Sequence, residues 1–96
     1  FQDQVIQLAR LKGWLIHAQR PGRTKDSWTT AIQGNPGWPD LVLLRPPRLV
    51  FAEIKSQKGE VRLEQIVWLE DLREVPGVEA YLWRPSDFDE IVAVLT

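Results

Sequence analysis

The sequence contains no cysteine and only one histidine among its 96 residues. The absence of cysteine excludes disulfide bonds, thiolate metal sites and a catalytic thiol, and one histidine is too few for a histidine-rich zinc site. A metal ion bound by this chain would therefore need oxygen ligands, which favours Mg²⁺ or Mn²⁺. No apolar run reaches the length of a membrane span, so we expect no membrane partner.

An excess of charge of one sign is also lacking, since the formal net charge is only -1. The distribution of charge along the chain is nevertheless uneven. Between positions 10 and 25 every charged residue is basic, whereas acids dominate from Glu60 onward. Arg20, Arg23 and Lys25 are candidate DNA contacts, because a local basic surface can bind phosphates in a chain of near-neutral total charge. The alternative is a solvated loop that happens to be basic.

Hydrophobic periodicity and turn residues predict one domain over residues 1–96, in the order helix, strand, loop, hairpin, helix, strand, helix. The predicted helices span 2–12, 63–74 and 86 to the end of the chain, and the predicted strands span 14–17, 40–44, 49–55 and 78–83. Ser86 is expected to cap the last helix. Four residues are expected on the inner face of the middle helix: Ile66, Val67, Leu69 and Leu72. This order predicts an α/β domain with a mixed sheet between helices.

The hairpin indicates where chemistry could take place. A turn centred on Pro46-Pro47 would place Asp40 opposite Glu53, with Cβ atoms about 4.5–5.5 Å apart. Lys55 would point to the same face, because it lies two residues further along the strand. A slip of one residue in the strand register would separate these groups. The sequence therefore predicts two carboxylates and one ammonium group at the open end of a buried hairpin.

Two neighbouring carboxylates repel each other unless a cation lies between them. A divalent ion would fit, and it could activate water and stabilise charge on a phosphoryl oxygen. Lys55 could orient or deprotonate that water, or stabilise the developing charge. These are the parts that a phosphodiester hydrolase requires. The alternative is an ion-pair cluster at the edge of a sheet.

Two motifs, Gly37-Trp38-Pro39-Asp40 and Phe51-Ala52-Glu53-Ile54-Lys55, resemble the signature of PD-(D/E)xK nucleases. Within that superfamily the chain is most similar to the VRR-NUC domain. An opening helix, the loop Ser56-Gln57-Lys58-Gly59 and Gln65 early in the next helix complete the likeness. The resemblance covers nearly the whole chain, and it implies a restriction-endonuclease-like mixed sheet flanked by helices, with an αβββαβα-type core.

The resemblance also implies roles for individual residues. Asp40 and Glu53 would bind Mg²⁺ or Mn²⁺ together with the backbone carbonyl of Ile54. Lys55 would be the catalytic lysine. Gln65 would reach back from its helix toward these groups as a fourth catalytic residue, although it could also be an exposed polar residue of the helix.

The opening helix departs from the family pattern. Family members usually carry an acidic residue there that assists the metal, whereas this chain has Gln2 and Gln4, with Asp3 as the only acid. We expect the corresponding glutamate just upstream of Phe1. Its true absence would put metal affinity and activity in doubt.

The implied function is a metal-dependent DNA endonuclease that resembles Holliday-junction resolvases and acts on branched or duplex DNA as a homodimer. Lys58, which follows the Glu-x-Lys strand, is a further candidate DNA contact. One alternative is a nucleic-acid-binding module that has lost catalysis, which a missing helix acid would favour. Another is a protein-interaction domain that uses the acidic second half. The lack of targeting signals and cysteine suits a cytoplasmic protein of a bacterium or phage.

The aromatic residues and the histidine are interpreted mainly as structural. Trp14, Trp68 and Trp83 are predicted to be core residues, and Trp28 and Trp38 are expected to pack the long loop rather than stack on a base. His17 is expected to be a partly exposed structural residue.

Overall fold

The computed structural model describes residues 1–19 and 33–96, which form a four-stranded sheet with helices against both faces. The helices are Gln2–Leu11 (α1), Leu63–Arg73 (α2) and Phe88–Leu95 (α3), and the strands are Leu15–Ala18 (β1), Leu41–Arg45 (β2), Arg48–Ile54 (β3) and Val78–Trp83 (β4). The first three strands are antiparallel, and β4 lies parallel to β3. The predicted mixed sheet is therefore confirmed. Within the described residues, no helix is long and apolar enough to cross a membrane.

The β2–β3 hairpin has the register that the sequence predicts. Val42 pairs with Phe51, and Leu44 pairs with Leu49 on either side of the turn. The last pair of the ladder is Leu41 with Ala52, so the next residues outward are Asp40 and Glu53. The predicted register therefore places the two acids at the open end of the hairpin.

One face of the sheet is covered by α1 and α3. The core on this face is made of the residues Val5, Ala9, Trp14, Leu41, Leu43, Val50, Ala52, Trp83, Ile91 and Leu95. Fully burying one valine, leucine or isoleucine side chain stabilises a fold by about 1.5–3 kcal/mol relative to leaving it exposed. This face is therefore the main source of hydrophobic stability.

The other face is covered by α2 over a smaller core of Phe51, Leu69 and Ala80. The predicted inner face of α2 is partly wrong, because Ile66 and Val67 are 38% and 49% exposed. The two buried residues of this helix are Gln65 and Leu69. The helix is turned this way because Gln65 has a buried polar partner on β3, described below.

The last helix also begins differently from the prediction. Residues Pro85–Asp87 form a short 3₁₀ turn, and α3 starts at Phe88. The carboxylate of Asp87 accepts a hydrogen bond from the backbone N–H of Arg84 at 2.8 Å. The predicted Ser86 cap is wrong, because the Ser86 hydroxyl instead accepts a hydrogen bond from the Gln57 amide at 3.0 Å.

The predicted burial of Trp14 and Trp83 in the core is confirmed, whereas that of Trp68 on α2 is wrong. Trp14 and Trp83 are 4% and 0% exposed. Trp68 is only half-buried, and its indole nitrogen donates a hydrogen bond to the carbonyl of Pro36 at 2.9 Å. Trp68 therefore fixes the chain that leads into β2 instead of filling the core.

Gly37 lets that same segment approach α2 closely. Its φ is +104°, and a Cβ atom at this position would lie 2.5 Å from the backbone oxygen of Glu64. No side chain fits between two backbones at this distance, so glycine is required. The segment that leads to Asp40 therefore lies directly against the first turn of α2.

We expect Gly37→Ala to lower the free energy of unfolding by about 2–4 kcal/mol, because it adds a steric clash to an unfavourable positive φ. Gly34→Ala is the matched control, since its φ is +109° but nothing lies within 4 Å of an added Cβ. The control should lose only the roughly 1–2 kcal/mol of backbone strain. Urea unfolding followed by tryptophan fluorescence measures both values. Equal losses would contradict the close approach to α2.

Candidate active site

The site lies where the open end of the hairpin meets the first turn of α2. Glu53 is the last buried residue of β3 and is only 2% exposed. The carboxylate of Asp40 is held by the backbone N–H of Ile54, which donates to its Oδ2 at 2.9 Å. This bond continues the contact between the two strands beyond the sheet ladder, and it keeps the Asp40 side chain beside Glu53.

Two further side chains converge on one oxygen of Glu53. The amide nitrogen of Gln65 donates to Oε2 at 2.8 Å, and Nζ of Lys55 lies 3.4 Å from the same atom. The amide oxygen of Gln65 accepts from the backbone N–H of Arg62 at 3.0 Å, which fixes the orientation of the amide. The structure thus brings together the four predicted site residues Asp40, Glu53, Lys55 and Gln65.

The second oxygen of Glu53, Oε1, is buried and has no hydrogen-bond partner. A buried carboxylate oxygen without a partner is costly, and an ion, an ordered water or a proton shared with Asp40 would satisfy it. Burial, and next the nearby charge of Asp40, raise the pKa of Glu53 to about 7, while Lys55 acts in the opposite direction. The carboxyl group is therefore poised to exchange its proton for a cation near neutral pH.

A divalent cation with oxygen ligands fits this donor set. Asp40 and Glu53 would supply carboxylate oxygens, and the backbone carbonyl of Ile54 would supply a third oxygen. Among residues 1–19 and 33–96 there is no group of three or more histidine, cysteine, aspartate or glutamate side chains that could hold a metal. An ion here would therefore depend on two carboxylates, the backbone and water.

The loop that follows Lys55 is organised by Arg84, which the sequence analysis missed. One guanidinium nitrogen of Arg84 donates to the backbone carbonyls of Ser56 at 2.7 Å and Gly59 at 2.8 Å. Arg84 directly follows β4, whose end lies beside the end of β3 in the parallel pair. The only signal in the sequence was this position, because two neighbouring parallel strands bring their ends to the same edge.

The candidate DNA contacts divide into two groups. Lys58 is exposed in the loop that Arg84 holds, three residues after Lys55. The predictions for Arg20, Arg23 and Lys25, and also that for Trp28, lie outside the described residues. His17 is exposed on β1, in agreement with a surface position for this residue.

The start of α1 lies at the same end of the sheet. The side-chain amide of Gln2 donates to the carbonyl of Gln19 at 3.0 Å, and the N–H of Gln19 donates to the carbonyl of Asp40 at 3.0 Å. Asp3 is exposed. Two hydrogen bonds thus connect the first turn of α1 with the backbone of Asp40.

The arrangement of these elements matches that of a known fold. A solved structure described as a VRR_NUC domain aligns with this chain with a TM-score of 0.60 and 18% sequence identity, covering 95% of this chain and 92% of the other. The chain has the VRR-NUC fold. A scan against protein-family models found no match, and neither did a search of curated proteins. The predicted restriction-endonuclease-like class is therefore confirmed at the level of the fold.

The raised pKa of Glu53 makes the stability of this VRR-NUC fold depend on pH. The folded protein keeps the Glu53 proton to about pH 7, whereas the unfolded chain loses it near the ordinary value of 4.5. Between these values the unfolded state binds fewer protons than the folded state. Ionisation of Glu53 therefore destabilises the metal-free fold as the pH rises through this window.

We expect Glu53→Gln to raise the thermal midpoint of the metal-free protein by several degrees at about pH 8, because it removes a buried charge and preserves shape. At about pH 5 the midpoint should hardly change. Glu79→Gln is the matched control: Arg48 lowers the pKa of Glu79, so this change should lower the midpoint at about pH 8. Differential scanning calorimetry measures all three proteins. A lower midpoint for Glu53→Gln at the higher pH would contradict the prediction.

Proposed function

We propose that this chain is a metal-dependent DNA endonuclease that hydrolyses phosphodiester bonds. The observation that carries the proposal is the buried carboxylate of Glu53, which has one oxygen bound by Gln65 and Lys55 and the other without a partner beside Asp40. A structural ion pair does not require an orphaned buried oxygen, because that arrangement only costs stability. The name of the structural neighbour, a VRR_NUC domain, supports a nuclease.

In this proposal Asp40, Glu53 and the carbonyl of Ile54 hold Mg²⁺ or Mn²⁺. The bound ion would stabilise charge on the phosphoryl group and lower the pKa of water. Lys55 places its ammonium group beside Glu53, where it can orient the attacking water or stabilise the negative charge that develops on phosphate. Gln65 is a positioning residue, since its hydrogen bond to Oε2 prevents rotation of the Glu53 carboxylate.

Branched or duplex DNA is the proposed substrate. Lys58 lies in the loop that follows Lys55 and is free to reach a phosphate near the reacting bond. Arg20, Arg23 and Lys25 are proposed as further phosphate contacts from the sequence alone. Contacts of this kind fix the register of the DNA backbone and carry no base information.

A nucleic-acid-binding module without catalysis is the second candidate. The observation that favours it is the exposure of Asp3, which leaves two carboxylates at the site within the described part of the chain. Weak metal binding would be the physical consequence. The cleavage experiment below separates the two candidates.

We expect the protein to cut labelled four-way junction, flap and linear duplex DNA in Mg²⁺ or Mn²⁺, with Lys55→Ala reducing kcat by about 100-fold or more. Lys58→Ala is the matched control in the neighbouring loop, and it should raise KM a few-fold with a smaller salt dependence of binding. Single-turnover cleavage with and without EDTA measures these effects. Equal rates for the wild type and Lys55→Ala would contradict the proposal. DNA binding without any cleavage by the wild type would support the second candidate.

We also propose a homodimer, which would present two sites to antiparallel DNA strands. Leu11, at the end of α1, and Leu15, on the edge strand β1, are 83% and 69% exposed, and we propose that they contribute to the apolar patch that a dimer interface requires. We expect sedimentation velocity to give about twice the chain mass of 11.1 kDa, and Leu15→Asp to reduce it. A monomer at concentrations that support cleavage would overturn this part of the proposal.

A further inference from the structure

Among the residues that the structure describes, a groove of about 840 Å³ lies between α2 and residues 33–38, close to the candidate active site. Its apolar walls are formed by Trp38, Trp68, Leu63 and Val67. Leu63 and Val67 are 75% and 49% exposed, and Trp38 is 37% exposed. Apart from the hydrogen bond by which Trp68 holds the segment before Asp40, these side chains have no part in the proposed chemistry, so the groove requires an explanation of its own.

The aromatic walls are held in place before any ligand binds. The ring of Trp38 packs edge-to-face against Phe51 with a centroid distance of 5.4 Å, and against Trp68 at 5.0 Å. Trp68 is fixed in turn by its hydrogen bond to the carbonyl of Pro36. Rigid aromatic side chains lose little conformational entropy on binding, which favours them as a stacking surface.

The groove lies near the proposed catalytic centre, although none of the four site residues lines it. Trp38 precedes Asp40 by two residues, and its packing partner Phe51 precedes Glu53 by two residues on the same face of β3. Two positions along a strand are roughly 6.6 Å apart. A nucleic-acid strand whose phosphate reaches the carboxylates would therefore place a neighbouring nucleotide at the groove.

The polar residues that line the groove indicate which part of a nucleotide could bind there. Glu64, Asp71 and Asn35 are among the residues that line it, and the Glu64 carboxylate also lies 3.5 Å from the Arg62 guanidinium. Carboxylates repel phosphate but accept hydrogen bonds from the exocyclic amino groups of adenine, cytosine and guanine. An aromatic wall with acceptor groups around it suits a base rather than the sugar-phosphate backbone.

We propose that this groove binds one unpaired nucleobase of the substrate strand, stacked against Trp38, and that it favours amino-bearing bases over thymine. A base inside a duplex is already stacked and offers only its edges, so the occupant must come from a single-stranded arm or an extruded nucleotide. The position of the strand rests on the proposed nuclease function, but binding of the base does not depend on cleavage.

The test uses Lys55→Ala protein, in which binding is measured apart from cleavage, and a labelled flap DNA whose single-stranded arm carries one abasic residue at successive positions. We expect one position to weaken binding by about 5- to 100-fold in fluorescence anisotropy, which corresponds to the loss of one base stack. With Trp38→Leu added, the same position should have an effect below about two-fold, because the stacking partner is already gone. Replacing the base at that position by thymine should give an intermediate loss.

A second pair of variants keeps the test independent of Trp38 packing. Val67→Asp replaces part of the apolar wall, against which a base would pack, with a hydrated carboxylate, whereas Ile66→Asp makes a comparable change at the neighbouring residue, which does not line the groove. Both positions are exposed, so both variants should fold, and thermal melts check this. We expect the position-specific abasic effect to disappear in Val67→Asp and to remain in Ile66→Asp.

A flat abasic series, or an effect that persists in both Trp38→Leu and Val67→Asp, would overturn the groove assignment. A flat series together with a lower sedimenting mass for Val67→Asp would show that a second copy of the chain fills the groove, which also overturns it. If the wild type does not cleave DNA but one abasic position still weakens binding, the proposed nuclease function is wrong and the groove assignment stands. The two failures are therefore distinguishable.

Discussion

The burial of one carboxylate, that of Glu53, determines how this end of the molecule is built. The group is 2% exposed on a strand whose neighbours are apolar, and its pKa is raised to about 7 by that burial and by Asp40. A buried ionisable group is retained only if its environment compensates part of the cost. Gln65 and Lys55 reduce the cost of burial through their contacts with Oε2, whereas Oε1 has no hydrogen-bond partner.

The hydrogen bond from Gln65 to Oε2 of Glu53 changes the packing of α2. A helix on a sheet normally turns an apolar stripe inward, but here Gln65 takes one of the two buried positions beside Leu69. Ile66 and Val67 are consequently turned outward. The hydrophobic stability that this face gives up is provided by the opposite face, where α1 and α3 bury a larger core. The two faces of the sheet thus divide stability and chemistry between them.

This division explains which features could be predicted from the sequence. The hairpin register followed from centring the turn on Pro46-Pro47, because strands that are apolar on both faces do not by themselves exclude a slip of one residue. The position of Asp40 beside Glu53 followed from that register. The orientation of α2 did not follow, because periodicity alone favoured Ile66 and Val67 as inward residues. The deciding contact joins Gln65 to a strand residue twelve positions away, and only the family resemblance indicated it.

Contacts between loops could not be predicted from hydrophobic periodicity either. The three carbonyls that Arg84 binds lie 25 to 28 residues before it, and the hydrogen bonds between Gln57 and Ser86 span 29 residues. Local propensity describes Ser86 as a helix cap, yet its hydroxyl is used by a loop that is close only in the folded chain. Tertiary contacts of this kind override local preference, because the Ser86 hydroxyl and backbone N–H are both engaged by the Gln57 side chain and not by the helix.

The carboxylate site and the groove beside it have the same structural origin. Because Gln65 points inward to Glu53, the adjacent side of α2 presents Val67 and Trp68 to the segment before β2. Gly37 allows that segment to touch the backbone of Glu64, so the helix, the segment and the carboxylates form one unit. A rotation of α2 that moved Gln65 away from Glu53 would also move the walls of the groove. The element that orients the candidate catalytic carboxylate therefore also determines the shape that a neighbouring nucleotide would meet.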